Sequence, residues 1–472
     1  MKEPDVLLIR ELTPLNYTNS VFCHPVMQEL EDNGFFSNKH FTFVGVYYSF
    51  ETDTTVIGYP KYLPEYTEES DATQIIHHVN LICKVIEQAQ PYLEKSLFDN
   101  AFDFDEFASH SQKQYVNRYN LAVSILQDYI AFGIYYHKTK QTIRNGNSNI
   151  LWQRTIQTVP PIIDRDVLYL ETVNRQNRQD YSQLATHLHI WIINRCAHLL
   201  QGIGQYKELE LPEVTLEFDD YSLNQYVSYL LSKLSTVFSD REIRLMRSLA
   251  TWCGLSSFYR NQMGVTTFDR IWEYATKQVF GNIDETRSGP PSYYIDEKEY
   301  TARGDAIPDI LRAFVHQNSG ESIIGILDAK YYCPQINEHP REIYGAPANS
   351  DIVKQIGYYI YLKQQYPSDS FRFTNAFLFP DLLKGEEKLF QKIGFARPNN
   401  HRHDQIDQLL SFTLEEATEQ DYVLLYKVDA DALFEACLNG VKLDNETFYE
   451  HFIMPFYTVS RTKTHFPPRS FS

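Results

Sequence analysis

Two carboxylates and a lysine stand out in the second half of the chain: Asp309, directly after Pro308, and the pair Asp328 and Lys330. The segment around the pair reads Ile-Ile-Gly-Ile-Leu-Asp-Ala-Lys-Tyr-Tyr, apolar until the two charges arrive together. Side chains alternate between the faces of a β-strand, so Asp328 and Lys330 are expected on one face. A hairpin running from Asp309 to Asp328 would bring both carboxylates to one point on that face. Such a pair makes a hard-oxygen site suited to Mg²⁺, which keeps waters and phosphate oxygens in its other positions. The metal would supply Lewis acidity and help generate hydroxide. Lys330 would orient or help deprotonate the attacking water and offset charge on the transition state. A solvated surface hairpin would carry the same residues, but charges that interrupt a buried apolar strand are costly unless paired or metal-bound.

Three further residues are candidates around this centre. Asp351-Ile-Val-Lys-Gln-Ile-Gly-Tyr-Tyr-Ile reads as a helix with Lys354, Gln355 and Tyr358 or Tyr359 within one turn. Gln355 would touch the scissile phosphate or the nucleophilic water, and Lys354 a neighbouring phosphate; the plain alternative is an exposed helix face. Glu273 lies amid Phe268, Ile271, Trp272 and Tyr274. Buried there, it would join Asp309 and Asp328 as a metal ligand or orient Lys330, or simply be satisfied core polarity. Other polar groups promise less. His187, His189 and His198 share a candidate helix without metal-ligand spacing. His401 and His403 fall in a polar loop, and Arg241, Arg244 and Arg247 read as an exposed helix face rather than a DNA-backbone contact.

The elements that must position these residues follow from periodicity. Residues 41–48 and 54–59 are β-branched and aromatic runs around a short acidic turn, a hairpin ended by Pro60. Helical spacing runs from Ala72 to about Leu97, from Gln114 to His137, over 181–202 and 221–237, and from Asp240 to Leu255. The second half changes character. A helix over Thr267–Phe280, ending near Gly281, precedes strands at Ile307–Val315 and Ser322–Tyr332, which are separated by the turn His316-Gln317-Asn318-Ser319-Gly320. A helix at Asp351–Gln364 and short strands at Asn375–Phe379 and Tyr422–Val428 follow, and the tail beyond Ser460 reads as loose. The order predicts an α/β domain with a mixed central sheet flanked by helices over residues 256–472. Before it come an N-terminal β-then-helical module over 1–148 and a helical middle region over 149–255.

Bulk properties bound the function. The chain has 472 residues, 43% hydrophobic and 22% charged, which is globular composition for two or three domains. Cys23, Cys83, Cys196, Cys253, Cys333 and Cys437 are scattered, with no CxxC pair, which argues against zinc knuckles and a disulfide scaffold. No signal core or run of about 20 apolar residues occurs, so a cytoplasmic setting is expected. The net charge of −18 is uneven: residues 1–100 hold 6 Lys/Arg against 15 Asp/Glu, whereas residues 301–400 hold 11 of each. The acidic first segment suits a protein partner or is an ordinary acidic surface; the later one is electrostatically free to approach DNA.

Pro308-Asp309, Asp328-Ala329-Lys330 and the Gln355 helix resemble the PD-(D/E)xK nuclease superfamily. More specifically, the chain resembles the LlaJI restriction endonuclease family, whose nuclease subunit is McrC-like. Supporting pieces are Phe43-Val44-Gly45-Val46 followed by Gly58-Tyr59-Pro60-Lys61, then Asn149-Ile150-Leu151-Trp152 with Arg154-Thr155-Ile156, and Ile271-Trp272-Glu273. The resemblance implies Mg²⁺-dependent cleavage of double-stranded DNA, leaving a 5′-phosphate and a 3′-hydroxyl, as part of bacterial restriction. It also implies a separate AAA+ GTPase subunit of the McrB type, contacted through the region around residues 41–61. Consistent with a separate motor, no GxxxxGK[ST] loop occurs in the chain. Two competing expectations remain: a nuclease of the same fold used in DNA repair or transposition, and a non-catalytic scaffold linking a motor to DNA.

Overall fold

A computed structural model describes residues 5–15, 24–67, 72–89, 102–103, 115–116, 118–255, 262–283, 292–295, 298–301, 308–339, 342–366, 371–383, 389–398 and 422–454. Cys23, His401, His403, the tail beyond Ser460 and the outer ends of the helices expected to reach Leu97 and to begin at Gln114 lie outside them. The chain divides into two units, each discontinuous in sequence. One holds Met1–Val6, Tyr47–Thr55 and Asn100–Met263, and the other Leu7–Val46, Val56–Asp99 and Gly264–Ser472.

The expected N-terminal hairpin forms as β1 (Val44–Ser49) and β2 (Thr54–Tyr59), neighbours in a sheet with every position buried. The helix α1 (Ala72–Ala89) buries Ile75, Val79, Ile82, Val85 and Ile86, the stripe that its 3.6-residue period predicts. In α2 (Phe268–Phe280), Asp269 occupies the first turn and Lys277 the last, each complementing the helix dipole, and the chain leaves the helix at Gly281. β3 (Ile310–Val315) and β4 (Ser322–Ala329) are the predicted strands around 307–332, and between them the Gly320 N–H bonds the His316 carbonyl. Then come α3 (Asn349–Gln365), β5 (Phe371–Asp381), β6 (Phe390–Ala396), β7 (Val423–Asp429) and α4 (Ala430–Leu438).

These five strands form one mixed sheet in the order β3-β4-β5-β7-β6. β3 is antiparallel to β4 and β6 to β7, while β4, β5 and β7 run parallel. A parallel neighbour requires a crossover, and α3 supplies it between β4 and β5. The core around the sheet is aromatic: Trp272, Tyr426, Phe373, Phe434, Phe448 and Phe452 are buried with Ile326, Leu327 and Leu378. The Trp272 indole N–H donates to the Leu378 carbonyl at 3.2 Å, tying α2 to β5.

In the other unit, the helices Arg118–Phe132, Leu184–Gln201, Val227–Lys233 and Asp240–Gly254 match the predicted helical stretches, with the run from Asp220 to Tyr226 wound as a 3₁₀-helix. A long antiparallel ribbon, His137–Arg144 with Val173–Asp180, lies in the same unit and is unannounced by sequence periodicity. Its strands carry His-Lys-Thr-Lys-Gln-Thr-Ile-Arg and Val-Asn-Arg-Gln-Asn-Arg-Gln-Asp, with no apolar face to alternate. Among the described residues no helix is long and apolar enough to cross a membrane.

Candidate active site

The register of the β3–β4 hairpin sets the site. Ile310 pairs with Leu327, so the next step outward faces Asp309 with Asp328. The Asp309 carboxylate accepts the Ala329 N–H at 3.2 Å, which holds it beside Asp328. Asp328 is 2% exposed, and its Oδ2 lies 2.7 Å from the Lys330 ammonium, so the expected common face is real. The hairpin therefore brings Asp309, Asp328 and Lys330 together at the edge of the sheet.

The electrostatics are those of crowded like charges. Burial first, then the Asp328 charge and the hydrogen bond with Asp328, push the Asp309 carboxyl up to about 8, far above an ordinary carboxylate. Burial depresses the Lys330 ammonium, but its hydrogen bond to Asp328 and the charges of Asp328, Asp351 and Asp309 outweigh that and raise its pKa. Lys330 is thus a held cation. Asp351, in the first turn of α3, stands 3.5 Å from the Lys330 ammonium, while its Oδ2 accepts the Ala348 N–H at 3.0 Å. Sequence reading placed Asp351 only as the start of a helix; its contact with a residue 21 positions earlier has no local signature.

The supporting residues fall less simply. Gln355 is buried, not on an exposed face; its Nε2 donates to the Ile326 carbonyl at 3.2 Å, and its side-chain oxygen is buried without a partner. Lys354 is exposed beside it, with its ammonium 5.6 Å from the Tyr358 ring centre, and the charges of Asp328 and Asp309 reach it. Glu273 corrects the expectation of a buried acid. It shares the exposed face of α2 with Asp269 and Arg270, while Ile271, Trp272, Tyr274 and Ala275 turn inward. Its carboxyl is raised by desolvation and by the Asp328 charge, so it lies within electrostatic reach of the pair. Among the described residues, however, no group of three His, Cys, Asp or Glu side chains is placed to hold a metal ion. Two of the three expected metal carboxylates come together.

Elsewhere on the histidine helix, His198 pairs with Asp53, and the Tyr135 N–H donates to His189. Arg241 is tied to Asp128, whereas Arg244 and Arg247 are exposed. In the stretch expected to contact a partner, residues 41–61, the exposed positions are Glu51 and Asp53 at the turn. All twelve positions of β1 and β2 are buried, because their β-branched and aromatic side chains go into core. Exposed apolar side chains also occur in the sequence between the two ribbon strands, at Trp152, Ile156, Ile163, Val167 and Leu170.

Comparison with known proteins places these features. A model of the LlaJI restriction endonuclease family matches residues 43–409. The Type II restriction enzyme BsuMI component YdjA of Bacillus subtilis (strain 168) is 24% identical over 334 residues, which is 68% of each chain. Among solved structures, a chain from the half-complex of a tetradecameric assembly of Thermococcus gammatolerans McrB AAA+ hexamers with bound McrC is 12% identical. That match covers 92% of this chain and 99% of the other at a TM-score of 0.33.

Proposed function

The chain belongs to the LlaJI restriction endonuclease family, and we propose that it is the Mg²⁺-dependent DNA-cutting subunit of a bacterial restriction system, with a PD-(D/E)xK site in residues 256–472. One observation carries the reading: Asp309 stands opposite Asp328 one step beyond the Ile310–Leu327 pair, its carboxylate on the Ala329 N–H, with the Lys330 ammonium 2.7 Å from Asp328. The donor set fits a divalent cation, since Mg²⁺ is held by one or two carboxylates plus substrate phosphate oxygens. A carboxyl whose ionisation is opposed by burial and by a neighbouring carboxylate marks a place where positive charge is wanted. When bound, the ion would supply Lewis acidity and neutralise charge building on the phosphate. Asp309 and Asp328 would hold it. Lys330, already protonated and braced by Asp351, aims a fixed cation at the phosphate charge and orients the attacking water.

Gln355 anchors α3 to β4 one residue pair from Asp328, and its free side-chain oxygen can accept a hydrogen bond from a water at the site. Lys354 offers a cation to a neighbouring phosphate. Glu273 acts from outside the pair, through its charge. A non-catalytic scaffold has no need to keep two like charges crowded in a buried hairpin, so the Asp309–Asp328 pairing favours catalysis.

The partner is proposed as a separate AAA+ GTPase, in keeping with a relative that is itself named a component and with the absence of a P-loop in this sequence. The exposed apolar side chains Trp152, Ile156, Ile163, Val167 and Leu170 are the positions we assign to it, since exposed apolar surface marks protein contacts. Supercoiled plasmid incubated with the chain, its GTPase and Mg²⁺ is expected to be linearised, and EDTA to stop the reaction. Intact plasmid under every combination of partner, nucleotide and divalent ion would overturn the assignment.

A further inference from the structure

A cleft of about 770 Å³ opens just past the catalytic lysine, in the same unit. It is lined by Arg10, Thr13, Lys61, Tyr332, Cys333 and Gln335, with Glu11 and Glu65 also on its wall. Tyr332 and Cys333 follow Lys330 by two and three residues, so the cleft begins within about 10 Å of it along the chain. Tyr332 also packs on the cluster of Ile352, Ile356 and Phe377, and the Lys330 ammonium lies 5.8 Å from the Phe377 ring centre. Cleft and site are thus joined by shared side chains.

Its charges are unevenly committed. Glu11 is 8% exposed and already accepts the Tyr331 hydroxyl and the Lys61 N–H. Burial raises its carboxyl, the direction that favours the neutral form. Cys333 is likewise held as a neutral thiol, pushed up to about 11 by burial. The cations are freer. The Arg10 guanidinium donates to the Lys61 carbonyl, but its Nε is buried without a partner. The Lys61 ammonium rides 4.1 Å over the Tyr331 ring, and among the described residues neither cation forms an ion pair. A fork of guanidinium donors beside an ammonium, with the Gln335 amide also on the wall, is the donor set of a phosphate contact.

We propose that this cleft is a backbone-phosphate subsite for the DNA strand beside the scissile bond, with Arg10 and Lys61 as its cations. The proposal rests on the nuclease reading above. It assigns to the N-terminal residues a direct part in holding DNA next to the hairpin.

The test is binding of a short fluorescein-labelled duplex to the full chain, with Ca²⁺ in place of Mg²⁺, across a range of salt. Lys61→Gln is expected to weaken binding by about 3–10-fold and to lower the slope of log K against log salt by about one. Lys61→Arg is expected to restore both. Gln335→Lys, at an exposed lining position, is expected to raise the slope by about one, and it does not depend on the folding of the Lys61 variants. Slopes unchanged in Lys61→Gln and Gln335→Lys, with plasmid still cut by the wild type and its GTPase, would overturn the subsite and leave the nuclease reading standing. A wild type that neither binds nor cuts DNA would overturn both.

Discussion

Asp309 and Asp328 face each other across a hairpin, and burial with the Asp328 charge opposes ionisation of Asp309, an arrangement that costs stability once both are charged. Unfolded, Asp309 ionises near pH 4; folded and metal-free, it keeps its proton to about 8. Between these values the folded state binds the extra proton, so metal-free stability falls as pH rises from about 4 to about 8. Calorimetry in EDTA is expected to show the wild-type Tm dropping across that window. Asp309→Asn should flatten the profile, gain at least about 1 kcal/mol near pH 8 and abolish cleavage. Parallel profiles for the two proteins would show that the pair is not strained. The three central residues were legible in sequence because two charges inside an apolar run demand a reason. Asp351 was not, since its contact with Lys330 is made by a crossover that only the folded sheet specifies.

At the scale of elements, the site depends on β4 lying straight between β3 and β5. Gly325 sits in the middle of that strand, where an added Cβ would come within 2.5 Å of the Phe448 ring. Phe448 is buried and has no room to retreat. Gly325→Ala is therefore expected to destabilise by about 1–3 kcal/mol, read from denaturant midpoints. Gly357, in the middle of α3, is the contrast. Nothing lies within 4 Å of its added Cβ, so Gly357→Ala should stabilise by about 0.5–1 kcal/mol. Equal effects of the two substitutions would contradict the packing described. α2, β3, β4 and α3 were readable from period, punctuation and the turn at Gly320. β6 was not: it is a half-exposed edge strand with a register shift between Lys392 and Gly394, so its alternation is broken. Glu273 was misread for a related reason, since apolar neighbours in sequence are not neighbours on a helix face.

For the whole molecule, the two units interleave along the chain, and that interleaving has no mark in composition or linkers. The strands of the hairpin at residues 44–59 are buried, while exposed apolar side chains occur at Trp152, Ile156, Ile163, Val167 and Leu170. Trp152→Asp and Ile163→Asp are expected to abolish co-elution with the GTPase while leaving the unfolding free energy within about 0.5 kcal/mol of wild type, because both side chains are largely exposed. Binding retained in both variants would place the partner elsewhere.

The most direct test of the account is single-turnover plasmid cleavage with Mg²⁺ and the GTPase partner, comparing wild type with Asp309→Ala and Lys330→Ala. The account predicts that Asp309→Ala is inactive and that Lys330→Ala loses about 10²–10³-fold in rate. Cutting by either variant at the wild-type rate would mean that the hairpin at Asp309 and Asp328 is not the active site.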